Sequence, residues 1–338
     1  MHEGVDFSRL IVYHRGEFRS YGDAQLGLMT HAFLYGTGCF EGIRAFWNDE
    51  DAELYVFEPD AHYRRLQASG KVLLMDVARG PHDLTRITAE LCRRNGFRCD
   101  VYIRPLLYKS EEAFGVRLDG LRHELSIVAF PNAKSLESAR GLNVCVSSWR
   151  RLDDNAVPPR AKLTGGYINS ALVKTEAQLN GFDEAILLTD DGHVSETSVA
   201  NIIVMRDGVA AVPPASCNAL EGITRTIALQ LLKRTCGVSV VERPVDRTEL
   251  YSADEVIFCG TGIGVAWVAS VDHRTVGDGL MGGHARALSS AYADIVRGRD
   301  TTFAAQRHAV YGDGHRGDGP PLDGTDRVLT ALHAPASI

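Results

Sequence analysis

No stretch of 18 consecutive apolar residues occurs in the 338-residue chain, so nothing in it reads as a membrane-spanning helix. No block of five like charges occurs either, and 36 lysines and arginines against 43 aspartates and glutamates leave a net charge of −7. An acidic balance without a basic cluster argues against nucleic acid and anionic membranes as partners. The seven cysteines, at positions 39, 92, 99, 145, 217, 236 and 259, form no C-x-x-C pair and no zinc-like spacing with the 12 histidines. Such a scattered, odd-numbered set reads as buried thiols, not as a disulfide framework. H-E-x-x-H and the P-loop pattern are missing, and no metal site is expected. The one G-x-G-x-x-G match, Gly312 to Gly317, lies in a polar stretch with no strand before it and no helix after it. That context excludes a dinucleotide site. The opening residues, Met1 to Asp6, have neither the basic nor the apolar region of a signal peptide, so the expected location is the cytoplasm.

What is present suits a mixed α/β protein of two domains. With 45% apolar residues, the chain has enough material for two cores of ordinary size. Residues 1–130 read as an N-terminal α/β domain and 131–141 as a linker. Residues 142–308 read as a C-terminal domain, and 309–338, where Gly, Asp, His and Pro dominate, as a polar tail expected to be mobile. In the first domain, strands are expected around Leu10–Tyr13, Phe18, Leu54–Phe57, Val101–Tyr108 and Glu124–Phe130. Asp60 is placed to cap a helix carrying His62, Arg64 and Arg65. Gly36, Gly38 and Gly42, interleaved with aromatics, read as a glycine-bulged strand edge or as backbone packed tightly against a neighbour.

The second domain is organised around Ala161-Lys162-Leu163-Thr164-Gly165-Gly166-Tyr167. Apolar residues Ile168, Leu172 and Leu179 then recur at helical spacing, and Asn180-Gly181 supplies the stop. Lys162 therefore precedes a helix of about four turns, a stiff base for an amine. The glycine pair permits close backbone approach or positive φ. Farther on come two hairpins with turns at Asp191-Gly192 and Asp207-Gly208, and Glu196 sits at their junction among small residues with Asn201 nearby. A helix beginning at Gly222-Ile223-Thr224 presents free N–H groups, and the turn Gly260-Thr261-Gly262-Ile263-Gly264 presents more. Taken singly, these are a capped helix and a tight turn; together with a held lysine and a carboxylate they are what a phosphorylated aldehyde cofactor requires.

In collinear order, from about residue 8 to about residue 298, the chain resembles the fold-type IV pyridoxal-phosphate enzymes, and among them most the branched-chain amino acid aminotransferases. The resemblance is carried by Tyr35-Gly36 to Arg44, Tyr102-Ile103-Arg104-Pro105-Leu106, Lys162 to Tyr167, Gly181 to Ala185, Glu196 with Asn201, Gly222 to Arg225, and Ala253 to Thr261. It implies a two-domain α+β architecture like that of D-amino acid aminotransferase. It also implies pyridoxal 5'-phosphate held covalently by Lys162, which then moves the substrate α-proton. Glu196 is implied at the pyridine nitrogen and Tyr167 at the phenolic oxygen, with Arg65, Ile223, Thr224 and Thr261 around the phosphate. Tyr102, Arg104, Thr261 and Gly262 are implied to meet substrate carboxylates, and Tyr35 and Phe40 to line the side-chain pocket of a homodimer with a shared site.

The implied reaction is a ping-pong exchange of an amino group between a hydrophobic L-amino acid and 2-oxoglutarate. Three departures bear on substrate: no aromatic residue between Pro131 and Ser148, Thr197 where the family usually has glycine, and a glycine-rich turn at 260–264. The tryptophan-bearing finish of the family is also missing. A different amino substrate in a specialised biosynthesis, a D-amino acid aminotransferase, an aminodeoxychorismate lyase and a cofactor-binding protein without turnover are the other readings.

Overall fold

The structure is a computed structural model that describes residues 5–132 and 140–312. It divides into two compact units, Met1–Lys134 with Val296–Ile338, and Ser135–Ile295. In the first unit, strands β1 (Ile11–His14) and β2 (Glu17–Ser20) form a hairpin whose turn residues, Arg15 and Gly16, have φ of 52° and 90°. Positive φ at both turn positions matches the twist of paired strands. Helix α1 (His31–Tyr35) leads to β3 (Gly38–Phe40), β4 (Ile43–Asn48) and β5 (Glu53–Phe57), then α2 (Pro59–Val72), α3 (Pro81–Arg94), β6 (Val101–Lys109) and β7 (His123–Pro131). The strands lie in the order β5-β4-β6-β7-β1-β2, with β3 also pairing with β6.

The two readings of the glycine-rich stretch both have a place: Gly38 lies in β3, whose one strand partner among the described residues is β6, whereas at Gly42 a Cβ would lie 2.2 Å from the Tyr102 hydroxyl, so the backbone is packed tightly there. One expectation for this unit changes. Asp60 does not cap α2: Glu58 occupies the cap position, and Asp60 accepts a hydrogen bond from Thr85 of α3 at 2.5 Å.

The second unit contains β8 (Leu142–Arg150), α4 (Tyr167–Leu179), β9 (Glu184–Leu188), β10 (Val194–Thr197), β11 (Asn201–Arg206), β12 (Val209–Val212), α5 (Ile223–Cys236), β13 (Ser239–Glu242), β14 (Glu255–Gly260), β15 (Gly264–Val271), β16 (Arg274–Thr275) and α6 (Gly283–Val296). Its strands are ordered β10-β9-β8-β15-β14-β11-β12-β13, with β16 on β15. β9 is buried throughout, and its alternate residues feed two cores. Ile186 and Leu188 join Val144, Ile202 and Phe258, whereas Ala185 and Leu187 join Cys145, Val173 and Ala177. The two-residue period of a strand makes that division.

Helix α4 lies where expected but buries a different face. Ile168, Leu172 and Leu179 are exposed, and Asn169, Ser170, Val173 and Ala177 face inward, because small residues allow the helix to sit close on β8 and β9. Gly166 has φ of −70°, so the glycine pair does not use positive φ there. After α6 the chain returns to the first unit. β17 (Arg307–Ala309) pairs with β5, Val310 is buried, and Tyr311 donates to the Phe97 carbonyl at 2.6 Å. Residues 296–308, expected in the second domain, thus belong with the first, and 309–312 are ordered against it. Residues 133–139 of the expected linker and 313–338 of the expected tail lie outside the described residues.

Glu41, in the loop between β3 and β4, fixes α2 to the sheet. Its carboxylate is fully buried and accepts from Arg65 Nε at 2.7 Å, Arg65 Nη2 at 2.8 Å and His62 Nδ1 at 2.7 Å. His62 and Arg65, three apart on α2, share one face of the helix. Burial works against the charge of Glu41, but the Arg65 cation and the bonds from Arg65 and His62 outweigh it and hold the carboxyl well below the ordinary carboxylate range. Glu41→Gln is expected to lower stability at neutral pH by about 3 kcal/mol, the scale for losing one member of a buried pair, read from the urea midpoint. A depressed folded-state value means that the stabilisation is complete above about pH 4.3, the unfolded carboxyl's value, and is lost as pH falls through the folded one. The wild-type advantage should therefore shrink in acid; an advantage unchanged in strong acid would remove Glu41 from this role.

Candidate active site

Lys162 lies in consecutive turns ahead of α4. Main-chain bonds from Ala161 to Pro158 (3.2 Å), Leu163 to Ala161 (2.9 Å) and Tyr167 to Thr164 (3.1 Å) hold the segment. Its half-buried Nζ donates to the Tyr167 hydroxyl at 2.5 Å and lies 5.0 Å from the centre of that ring. The tyrosine comes from the first residue of the helix, so the amine is held by a fixed element. Two residues on, Asn169 donates to the carbonyl of Arg150 at 3.1 Å and so ties the base of α4 to the end of β8.

Glu196 lies within an irregularity of β10, whose register against β9 shifts between Val194 and Thr197. Such bulges re-aim a side chain. The carboxylate is 6% exposed; Oε1 meets Arg151 Nη2 at 2.6 Å and Oε2 accepts from Asn201 Nδ2 at 3.0 Å. Thr197, the departure noted above, holds the turn that follows: its hydroxyl accepts from the Ala200 amide at 2.9 Å, and its own amide donates to the Ala200 carbonyl at 2.8 Å. The buried hydroxyls of Ser195 and Ser198, on either side of Glu196 in sequence, have no partner among the described residues. Buried polar groups left over in a folded protein commonly await a ligand or an ordered water.

Asn201 carries the network onward by donating to the Leu220 carbonyl at 2.9 Å. A Cβ on Gly222 would lie 1.9 Å from Asn201 Oδ1, so only glycine lets α5 start there. No side chain caps α5, and its first N–H groups face the N-terminal end of the helix dipole. The buried Thr224 hydroxyl lies 3.3 Å from that of Thr261, in the turn joining β14 to β15. Gly262, in the same turn, has open space where a Cβ would stand. A continuous set of contacts therefore runs from the base of the Lys162 helix, through the Arg150–Arg151 segment, Glu196 and Asn201, to the helix N-terminus at Ile223 and Thr224, beside Thr261. An amine, a buried carboxylate acceptor, leftover hydroxyls and a helix N-terminus are the donor set that a phosphorylated pyridine aldehyde fits.

The first unit gathers Phe40, Tyr102 and Arg104. The Arg104 guanidinium stacks 4.3 Å from the Phe40 ring centre and donates to the Tyr102 hydroxyl at 2.9 Å, while Tyr102 also packs on Phe130. Tyr35 is placed differently: it ends α1, stacks on His31, and accepts from the Gly115 amide at 3.3 Å. Arg65, 14% exposed, is gripped by Glu41 as described. Arg151 was not singled out from the sequence. The available signal was indirect, since an acid destined for burial requires a countercharge, and Arg151 directly follows the last residue of β8.

The profile of the amino-transferase class IV family matches residues 38–271. A probable branched-chain-amino-acid aminotransferase of Aquifex aeolicus is 41% identical over 305 residues, 90% of this chain and 98% of that protein. The crystal structure of the branched-chain aminotransferase of Thermoproteus uzoniensis with norvaline superposes with a TM-score of 0.85 at 35% identity, covering 89% of this chain and 99% of that one. The branched-chain amino acid aminotransferase of Thermobaculum terrenum in its PLP form superposes with a TM-score of 0.86 at 33% identity, covering 90% and 99%. With the family profile spanning most of both units and these relatives matched almost end to end, the chain belongs to the class IV aminotransferases, a family of pyridoxal-phosphate enzymes.

Proposed function

We propose that this protein transfers the amino group of a branched-chain or similar hydrophobic L-amino acid to 2-oxoglutarate. The observation that carries the reading is the presence in one unit of a held lysine, Lys162 on Tyr167, and a buried, ion-paired carboxylate, Glu196, whose arginine adjoins the residue that anchors the base of α4. The 41% identity to a probable branched-chain enzyme supports the substrate class. Bound pyridoxal phosphate supplies an electron sink that makes the substrate α-proton labile. Lys162 is assigned the covalent hold on the cofactor and the movement of that proton. Glu196 keeps a proton on the ring nitrogen, Tyr167 hydrogen-bonds the phenolic oxygen, and Arg65, Ile223, Thr224 and Thr261 hold the phosphate. Tyr102, Arg104, Thr261 and Gly262 receive carboxylates, and Tyr35 and Phe40 bound the side-chain pocket.

A homodimer is part of this proposal. Leu28, Phe33, Phe114 and Val116 are each at least 70% exposed, and they lie on α1 and two segments joined by the Thr30–Glu112 bridge and the His31–Gly115 bond. An apolar grouping of this kind suits a protein interface, and a second copy is the partner the reading calls for. All seven cysteines are free thiols, which supports the cytoplasm as the compartment.

The deciding experiment is the absorption spectrum of the purified holoenzyme with single amino acids and no oxo acid. L-leucine, L-isoleucine or L-valine should discharge the visible band, and D-amino acids should leave it; discharge by a D-amino acid alone would overturn the assignment. Arg104→Ala should lower kcat/KM for 2-oxoglutarate by about 10- to 100-fold, the value of a charge-assisted bond, while a monocarboxylic oxo acid loses much less. Equal losses for both would end the distal-carboxylate role. Replacing Phe33 and Phe114 together by glutamate should convert a dimer to monomers by light scattering; a dimer that persists would move the interface elsewhere.

A further inference from the structure

We propose that Arg151 is the positioning residue for Glu196: it keeps this buried carboxylate charged and oriented, and thereby governs whether the ring nitrogen opposite retains its proton. The proposal rests on the assignment of Glu196 made above and adds a residue that the resemblance did not bring.

The geometry divides the carboxylate between two donors. Arg151 Nη2 takes Oε1 at 2.6 Å and Asn201 Nδ2 takes Oε2 at 3.0 Å, so rotation of the group is blocked. An ionised carboxylate can accept about four hydrogen bonds, and each of these two donors takes a different oxygen. Both side chains are largely withdrawn from water, Arg151 to 11% and Glu196 to 7% exposure. Screening is therefore weak, and the pair interacts strongly.

Arg151 is itself fixed. Its Nε donates to the Asn218 carbonyl at 3.0 Å, and its amide donates to the Leu188 carbonyl at 2.9 Å. Asn218 presents that carbonyl from a left-handed conformation, φ 59°, just after the helical turn Ala215–Cys217. Through the neighbouring Arg150 carbonyl and Asn169, the same segment is tied to the base of α4. One guanidinium thus couples the position of Glu196 to the element that carries Tyr167 and follows Lys162.

Two effects of the cation oppose each other. It draws negative charge away from the carboxylate, which weakens the hold on a ring proton, and it allows the carboxylate to remain ionised while buried. The second dominates, because an unpaired carboxyl at this depth neutralises itself by taking up a proton, and a neutral carboxyl gives no electrostatic support to a pyridinium.

The test uses holoenzyme loaded with pyridoxal phosphate labelled with 15N in the ring, with the nitrogen chemical shift as the readout. Wild type should show a protonated ring nitrogen. Arg151→Met should move the shift toward the unprotonated position, as Glu196→Gln does, and Arg151→Lys should stay near wild type. Adding Arg151→Met to Glu196→Gln should shift nothing further, since both act through one carboxylate. Turnover of Arg151→Met should fall on the order of 10- to 100-fold, as for other residues that orient a site ligand, with KM for the amino donor little changed. An Arg151→Met enzyme with the wild-type nitrogen shift would overturn the proposal while leaving Glu196 in place. A wild-type shift in Glu196→Gln would overturn the reading of Glu196 itself, and Arg151 with it. Should Arg151→Met not fold, Arg151→Lys at the shift of Glu196→Gln would equally overturn the role of charge.

Discussion

An ionised carboxylate withdrawn from water needs a countercharge and filled lone pairs, and this protein is built around that requirement. Glu196 satisfies it with Arg151 and Asn201. Those partners account for much of what surrounds them: the bulge in β10 that turns Glu196 toward them, the left-handed Asn218 that receives Arg151, and a glycine at the start of α5 where any side chain would strike Asn201. Each feature is costly or unusual alone, and each is explained by the placement of one acid.

The first unit uses the same device for another purpose. Glu41 lies deeper than Glu196 and binds Arg65 and His62, so the cation is held at a set point on α2, where the proposed function puts the cofactor phosphate. Arginine can serve both an internal carboxylate and an anionic ligand because its five donors lie in a planar fork. Pre-ordering of this kind reduces the entropy lost when the ligand binds. The Phe40–Arg104–Tyr102 group follows the same logic by stacking and a single hydrogen bond, and Gly42 leaves the room that the Tyr102 hydroxyl occupies.

Much of the site was legible in the sequence because its signals are local. Two D-G turns, a helix opening at Gly222 and a glycine-rich turn at 260–264 set the hairpins and the α5 start, and those elements carry Glu196, Thr224 and Thr261. Less was legible about faces and neighbours. The apolar stripe Ile168, Leu172, Leu179 pointed to the wrong side of α4, since the small residues Ala177 and Ser170 permit closer packing than large ones. Asp60 had the chemistry of a cap, yet Thr85 on the next helix claimed it.

By itself the sequence determined most of the strands and helices and the two-part organisation, because turn chemistry and periodicity act over a few residues, and the resemblance of its motifs supplied the roles proposed for Lys162, Glu196 and the start of α5. Only the tertiary structure decided that Arg151 meets Glu196, that Arg65 meets Glu41, and that the chain after Val296 returns to the first unit through β17. Those are pairings between residues far apart along the chain. They are selected by the cost of burying charge and by the closing of a sheet edge, quantities that exist only once the chain has folded.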